Sequence, residues 1–192
     1  AERPDPRQTT MIIAREKRRN NIAEYVLYMW QIEDLIRANE LDMQRLRATV
    51  IAQYRQDTKT TAEIDRWYAE LVEMMLTEGV RKQGHINIVR IAIMQMEEIH
   101  SRLMADPKEM IYQGLYYQVL PAIVQLRAKS AGSNTGEIET CLTAIYGLLT
   151  LRLQKKEVSE ETLASIKQMS TLLSVLSEKF AAREEGTDEA LL

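Results

Sequence analysis

The sequence predicts an all-α fold, a single-domain helical bundle of about seven helices. Residues that interrupt helices are scarce, with seven glycines and four prolines among 192 residues. Strong helix formers such as Leu, Met, Ala, Glu, Gln and Arg are plentiful. Apolar residues recur every three or four positions along most of the chain. No stretch shows the strict alternation of a half-buried strand or the turn signature of a hairpin.

Each element follows from its own signals. Ile22, Tyr25, Val26, Met29, Ile32 and Ile36 lie on one face of a first helix. A break at Asn39 leads to a short second helix built on Leu46, Val50 and Tyr54. Thr60-Thr61-Ala62-Glu63 reads as a capping box that starts a third, with Ile64, Trp67, Tyr68, Leu71, Met74 and Met75 as its face and Gly79 as its stop. Gly84 closes the connection to a fourth helix, whose face is Val89, Ala92, Ile93, Met96, Ile99 and Leu103. Ile91 and Met94 point away from that face, so the helix is either buried on two sides or contributes to a partner surface, and two-sided burial is the expectation for a multi-helix bundle.

Asp106-Pro107 predicts the next start, Asp as the cap and Pro in the first turn. The fifth helix holds Leu115, Tyr116, Val119, Leu120 and Ile123, with Pro121 in its interior, where a proline removes one backbone donor. Residues 130–136 (SAGSNTG) form the plainest loop. Helix six carries Ile138, Cys141, Leu142, Ile145, Leu148 and Leu149. Ser159, followed by Glu160 and Glu161, caps the last helix. Its seam of Ile166, Met169, Leu173, Leu176 and Phe180 has heptad-like spacing.

A 45% apolar and 28% charged composition is that of a globular chain long enough for one packed core. The net charge of -3 excludes a globally basic nucleic-acid binder. Cys141 stands alone, so no intrachain disulfide forms. No run approaches the roughly 18 apolar residues of a membrane span. The start AERPDPRQTT also lacks the apolar core of a secretory signal. A cytoplasmic location is expected, with residues 1–10 as a flexible leader or start-site artefact before Met11. Residues 11–183 form the bundle domain, and 184–192 an acidic flexible tail.

Three segments resemble a known family. MIIAREKRRNNIAEYVLYMWQIEDLIRAN, EGVRKQGH and EIETCLTAIYGLLTLRLQKKEVS are similar, in the same order, to a bacterial domain-of-unknown-function family numbered 4924. The similarity covers nearly the whole chain from Met11, and the leader before it departs from the family pattern. The resemblance implies a helical, cytoplasmic protein and brings no catalytic residues with it.

Chemistry is sparse. Glu97 and His100 form the Glu-x-x-His step that di-iron bundles use. His100 falls about 40° from Met96 on the helix wheel, inside the apolar face, and Glu97 lies at its edge. A di-iron centre needs a second such pair, yet the only other histidine, His85, follows Lys82 at that spacing. Glu33 falls about 40° from Met29 and is a third candidate ligand. The bland reading is stronger: Glu33 and His100 are interior polar groups satisfied by hydrogen bonds, close to one another. Cofactors are expected to be none.

Gly79–Gly84 copies the glycine spacing of a P-loop, but the Lys-Ser/Thr that should follow is His85-Ile86, so a Walker site is excluded. Arg81, Lys82 and His85 precede a helix N-terminus, a place for an anion, though a solvated turn explains them as well. Arg15, Lys17, Arg18 and Arg19 form a basic cluster able to touch nucleic-acid phosphates, or a solvated helix face. Neither histidine has a sequence-evident Ser or Cys partner, and Cys141 sits on an apolar face as a packing residue. The expected function is therefore non-enzymatic, through a protein partner or self-association. Ile166, Met169, Leu173, Leu176 and Phe180 are one contact face, although plain core explains them too. A small-ligand or metal site on Glu33, Glu97 and His100 is the first alternative, and a nucleic-acid accessory role the second.

Overall fold

A computed structural model describes residues 10–130 and 134–190. The expected leader, apart from Thr10, lies outside the described residues, as do 131–133 of the expected loop and 191–192 of the expected tail. All regular structure among the described residues is helical. The helices are α1 (Thr10–Asn20), α2 (Ile22–Ala38), α3 (Met43–Thr49), α4 (Thr58–Thr77), α5 (Asn87–Ala105), α6 (Met110–Lys129), α7 (Glu137–Leu153) and α8 (Glu160–Ala190). A 3-10 turn, Ile51–Tyr54, follows α3. The described residues thus form eight α-helices. The one that apolar rhythm did not flag is α1, whose last turn is Lys17, Arg18 and Arg19. Cations there complement the negative end of the helix dipole.

Two helix starts differ from expectation. Asp57 caps α4, its carboxylate accepting the Thr60 amide at 2.7 Å, so the helix begins at Thr58 and Thr60 is already inside it. Asp106 accepts the Lys108 amide at 2.9 Å within a turn, and α6 begins only at Met110. There Gln113 Nε2 donates to the carbonyls of Asp106 at 2.7 Å and Leu103 at 3.1 Å, tying the new helix to the end of the old one. Ser159 does cap α8, accepting the Thr162 amide at 3.2 Å. Gly79, at φ +72°, ends α4 in a Schellman turn, with the Val80 amide on the Met75 carbonyl at 3.0 Å.

Close contacts divide the chain into two compact units, one of residues 1–19 and 24–91, the other of 20–23 and 92–192. In the first, the face of α2 that the three-four rhythm marks is buried from Tyr25 to Ile36, as are Ile64, Tyr68, Leu71 and Met75 of α4. The α3 helix and the 3-10 turn pack on α4, and the Tyr54 and Tyr68 hydroxyls meet at 3.2 Å.

In the second unit α6, α7 and α8 pack on one another. Ile166, Met169, Leu173, Leu176 and Phe180 are all buried there. The α8 seam is packed against its own chain. The acidic segment 184–189 continues as helix, since α8 runs to Ala190. One packing expectation is corrected. Ile91 and Met94 are 52% and 68% exposed, so α5 presents apolar side chains to solvent and is not buried on two sides.

Candidate functional site

Three side chains on one face of α2 hold the connection between α4 and α5. Trp30, Glu33 and Arg37 follow each other at three- and four-residue spacing, which stacks them on one side of a helix. Glu33 is 2% exposed. Its carboxylate accepts from His85 Nδ1 at 3.0 Å and from the Ile86 amide at 3.0 Å. The His85 ring lies flat on Trp30, centroids 4.7 Å apart and planes 13° from parallel. Arg37 donates to the carbonyl of Val80 at 3.0 Å and to that of Gly84. Gly84 is at φ +90°, a conformation that favours glycine.

This clamp decides the fate of the anion candidates. The N-terminal amides of α5 are already held by carboxylates, Ile86 by Glu33 and Asn87 by Glu78 at 2.7 Å. His85 is committed to Glu33, while Arg81 and Lys82 are exposed. No amide at Ile86 or Asn87 is left for an incoming phosphate.

The Glu-x-x-His pair of α5 sits in the second unit, in a network that no spacing rule suggests. His100 Nδ1 meets the Tyr112 hydroxyl at 2.7 Å and Nε2 meets Glu137 at 3.1 Å. The Tyr116 hydroxyl donates to the other Glu137 oxygen at 2.7 Å. With Glu137 as a carboxylate, one set of protons satisfies every bond. Tyr112 donates to Nδ1, Nε2–H donates to Glu137, and Tyr116 donates to Glu137. Tyr112 is fully buried, and burial pushes its hydroxyl well above the ordinary tyrosine range. Both imidazole nitrogens are thus engaged, and the bonds tie α5 to α6 and α7.

Glu97 performs a second positioning task. Its carboxylate accepts the Glu139 amide at 3.0 Å and caps α7 from a neighbouring helix, because the helix's own cap residue, Gly136, has no side chain to do so. Burial raises the Glu97 carboxyl above its ordinary value, against the lowering effect of the α7 amides. A Cβ on Gly136 would stand 2.2 Å from Glu97 Oε1. Gly136→Ala is therefore expected to expel the carboxylate and cost about 2 kcal/mol through the lost charge-assisted cap. Chemical denaturation of Gly136→Ala, Glu97→Ala and the double variant checks this. The alanine should cost far less once Glu97 is gone, and strictly additive losses would exclude the contact.

Glu33 and His100 are thus both interior and both hydrogen-bonded, but to different partners, His85 for one and Tyr112 with Glu137 for the other. The expected pairing of the two is corrected. Among the described residues no three His, Cys, Asp or Glu side chains converge as a metal site. Cys141 is fully buried in α7, and burial together with Glu97 and Glu137 pushes its thiol up to about 12. Native protein at pH 8 is expected to resist iodoacetamide and to react once unfolded in urea, with intact-mass measurement as the readout. Of the basic cluster, Lys17 pairs with Glu24 at 3.0 Å, and Arg15 and Arg19 are exposed.

The model of a family described as a domain of unknown function (DUF4924) matches residues 11–187. The chain belongs to this family. No curated protein and no solved structure matches it. Trp30, Glu33 and Arg37 lie in the first of the three family-like segments, and Val80, Gly84 and His85 in the second. The two segments are joined by the clamp's hydrogen bonds and ring stack.

One further surface was not read from sequence. Tyr112, Tyr116, Val119 and Ile123 form the buried side of α6. About 150° round the helix, Met110, Gly114, Tyr117, Pro121 and Val124 form a second stripe at spacings of four, three, four and three, all exposed. Met110 is 75%, Tyr117 62% and Val124 57% exposed, and neighbouring Ile111 81%. No Asp, Glu, Lys or Arg occurs from Met110 to Leu126. The signal was present as two apolar stripes on one helix. Tyr112 and Tyr116 belong to the buried stripe and Tyr117 to the outer one. A hollow of about 410 Å³ also opens where α6, α7 and α8 diverge, walled by Leu126, Gly147, Leu148 and Ile166.

Proposed function

We propose that this DUF4924 protein is a non-enzymatic, cytoplasmic helical protein that works by protein–protein contact, self-association included, through the outer face of α6. The observation that carries the reading is the uncharged, exposed stripe of Met110, Gly114, Tyr117, Pro121 and Val124. Surface helices ordinarily carry charge on their outer side, and an exposed apolar stripe with an aromatic at its centre is the composition of an interface core. The buried carboxylates and histidines support the same reading, since each is used to fix a helix end or a connection.

The test places a photoreactive amino acid at position 117 in the source cell, with exposed Thr150 on α7 as the control position. Protein adducts at 117 and none at 150 are expected. No adduct at 117 after irradiation overturns the reading.

A further inference from the structure

We propose that the outer stripe of α6 is a homodimer seam. Two copies lay α6 against α6 in antiparallel fashion, with Tyr117 of each seated over Gly114 of the other. This rests on the interaction reading above and names the partner.

Three observations select a second copy. The first is shape. Spacings of four and three residues are those of a coiled-coil seam, so the matching partner is a helix with the same spacing. Antiparallel pairing about a two-fold axis between Gly114 and Tyr117 puts the largest side chain of the stripe over its one hole, and Met110 opposite Pro121. From Met110 to Pro121 the stripe is then complementary to itself, as a two-fold interface requires, while Val124 runs past the start of the facing helix.

The second is the glycine. Gly114 lies inside a helix, where glycine costs about 1 kcal/mol relative to alanine. A Cβ there would meet nothing within 4 Å. Nothing inside the chain needs the missing side chain, whereas a phenol ring from outside does.

The third is charge and area. A surface facing its own copy meets every charge it carries, and between Met110 and Leu126 it carries none. Met110, Ile111, Tyr117 and Val124 together leave on the order of 500 Å² open, as large as the biggest patch on a typical monomer. With exposed Gln118 and Gln125 beside them, the face approaches the roughly 800 Å² per partner of a standard interface.

Sedimentation equilibrium of the full chain, up to about 100 µM, reads the mass directly. The expected result is a species of twice the 22.2 kDa chain mass. Gly114→Glu should raise the dissociation constant at least about tenfold with the melting temperature retained or increased, because the new side chain is open to solvent and favours helix. Tyr117→Lys should do the same to the dimer. A wild-type monomer throughout that range, or a dimer unmoved by both variants, overturns the proposal. Photocrosslinks at 117 to other proteins, with no adduct of two chains, overturn the second copy and leave the interaction reading standing. No adduct of any kind overturns both.

Discussion

His100→Ala is expected to destabilise the protein by about 3 kcal/mol, which in a chain of this size lowers the melting temperature by roughly 6–12 °C. Part of the loss is the cavity left by the ring, which is 5% exposed. The rest is the Tyr112 hydroxyl. It gives its proton to His100 Nδ1 at 2.7 Å and belongs to a fully buried side chain. Removing the acceptor strands a buried donor. Tyr112→Phe, by contrast, removes the donor and should cost only about 1–2 kcal/mol.

The informative measurement is the cycle with His100→Leu and Tyr112→Phe. Replacing both partners with apolar groups of similar size leaves neither atom stranded, so the double variant should be more stable than the sum of the singles predicts, by about 1–2 kcal/mol. Glu137 does not spoil the comparison. Its side chain is 28% exposed and retains the Tyr116 hydroxyl at 2.7 Å. Urea denaturation of the four proteins gives the coupling directly. A coupling indistinguishable from zero would mean that the bonds drawn by the geometry do not act together.

Which parts of this architecture the sequence makes legible follows from the range of the forces involved. The faces of α2, α4 and α5 could be read because helix periodicity is local, and Val89, Ala92, Ile93, Met96, Ile99 and Leu103 are all buried as that period demands. Caps were legible where one strong acceptor stood alone, as at Ser159. They were misread where two competed, since Asp57 stands three residues before Thr60 and takes its amide first. The burial of Glu33 and His100 was legible for the same periodic reason. Their partners were not, because His85 is 52 residues from Glu33 and Glu137 is 37 from His100, and no local rule spans such distances. Gly136 carries a similar lesson. Its φ of −68° suits any residue, so the need for glycine arises wholly from Glu97, on another helix. The exposure of Ile91, Met94 and the outer stripe of α6 was illegible for a different reason. Periodicity says that a side chain is apolar and off the main face, but only packing says whether anything covers it.

Glu33→Ala is the second large expected effect, again about 3 kcal/mol. The carboxylate is a shared acceptor, for the Ile86 amide in a residue with 0% exposure and for the His85 ring, and it is itself out of water at 2%. An alanine leaves that amide at the start of α5 without an acceptor and frees His85 from the orientation that stacks it on Trp30. Glu33→Gln separates these tasks. Its carbonyl can still accept the Ile86 amide, and its amide group can donate to Nδ1 if the ring shifts its proton to Nε2, so a loss of only about 1 kcal/mol is expected. Arg37 keeps its bonds to Val80 and Gly84 in both variants, which confines the damage to the α5 end of the connection. Hydrogen exchange resolves this residue by residue. Protection of the Ile86 amide should fall at least about tenfold in Glu33→Ala, while the amides of Val80 and Leu46 stay within about twofold of wild type. Unchanged protection at Ile86 would show that water or another group takes the place of Glu33, and the clamp would then be a description of proximity and not of what holds the two elements together.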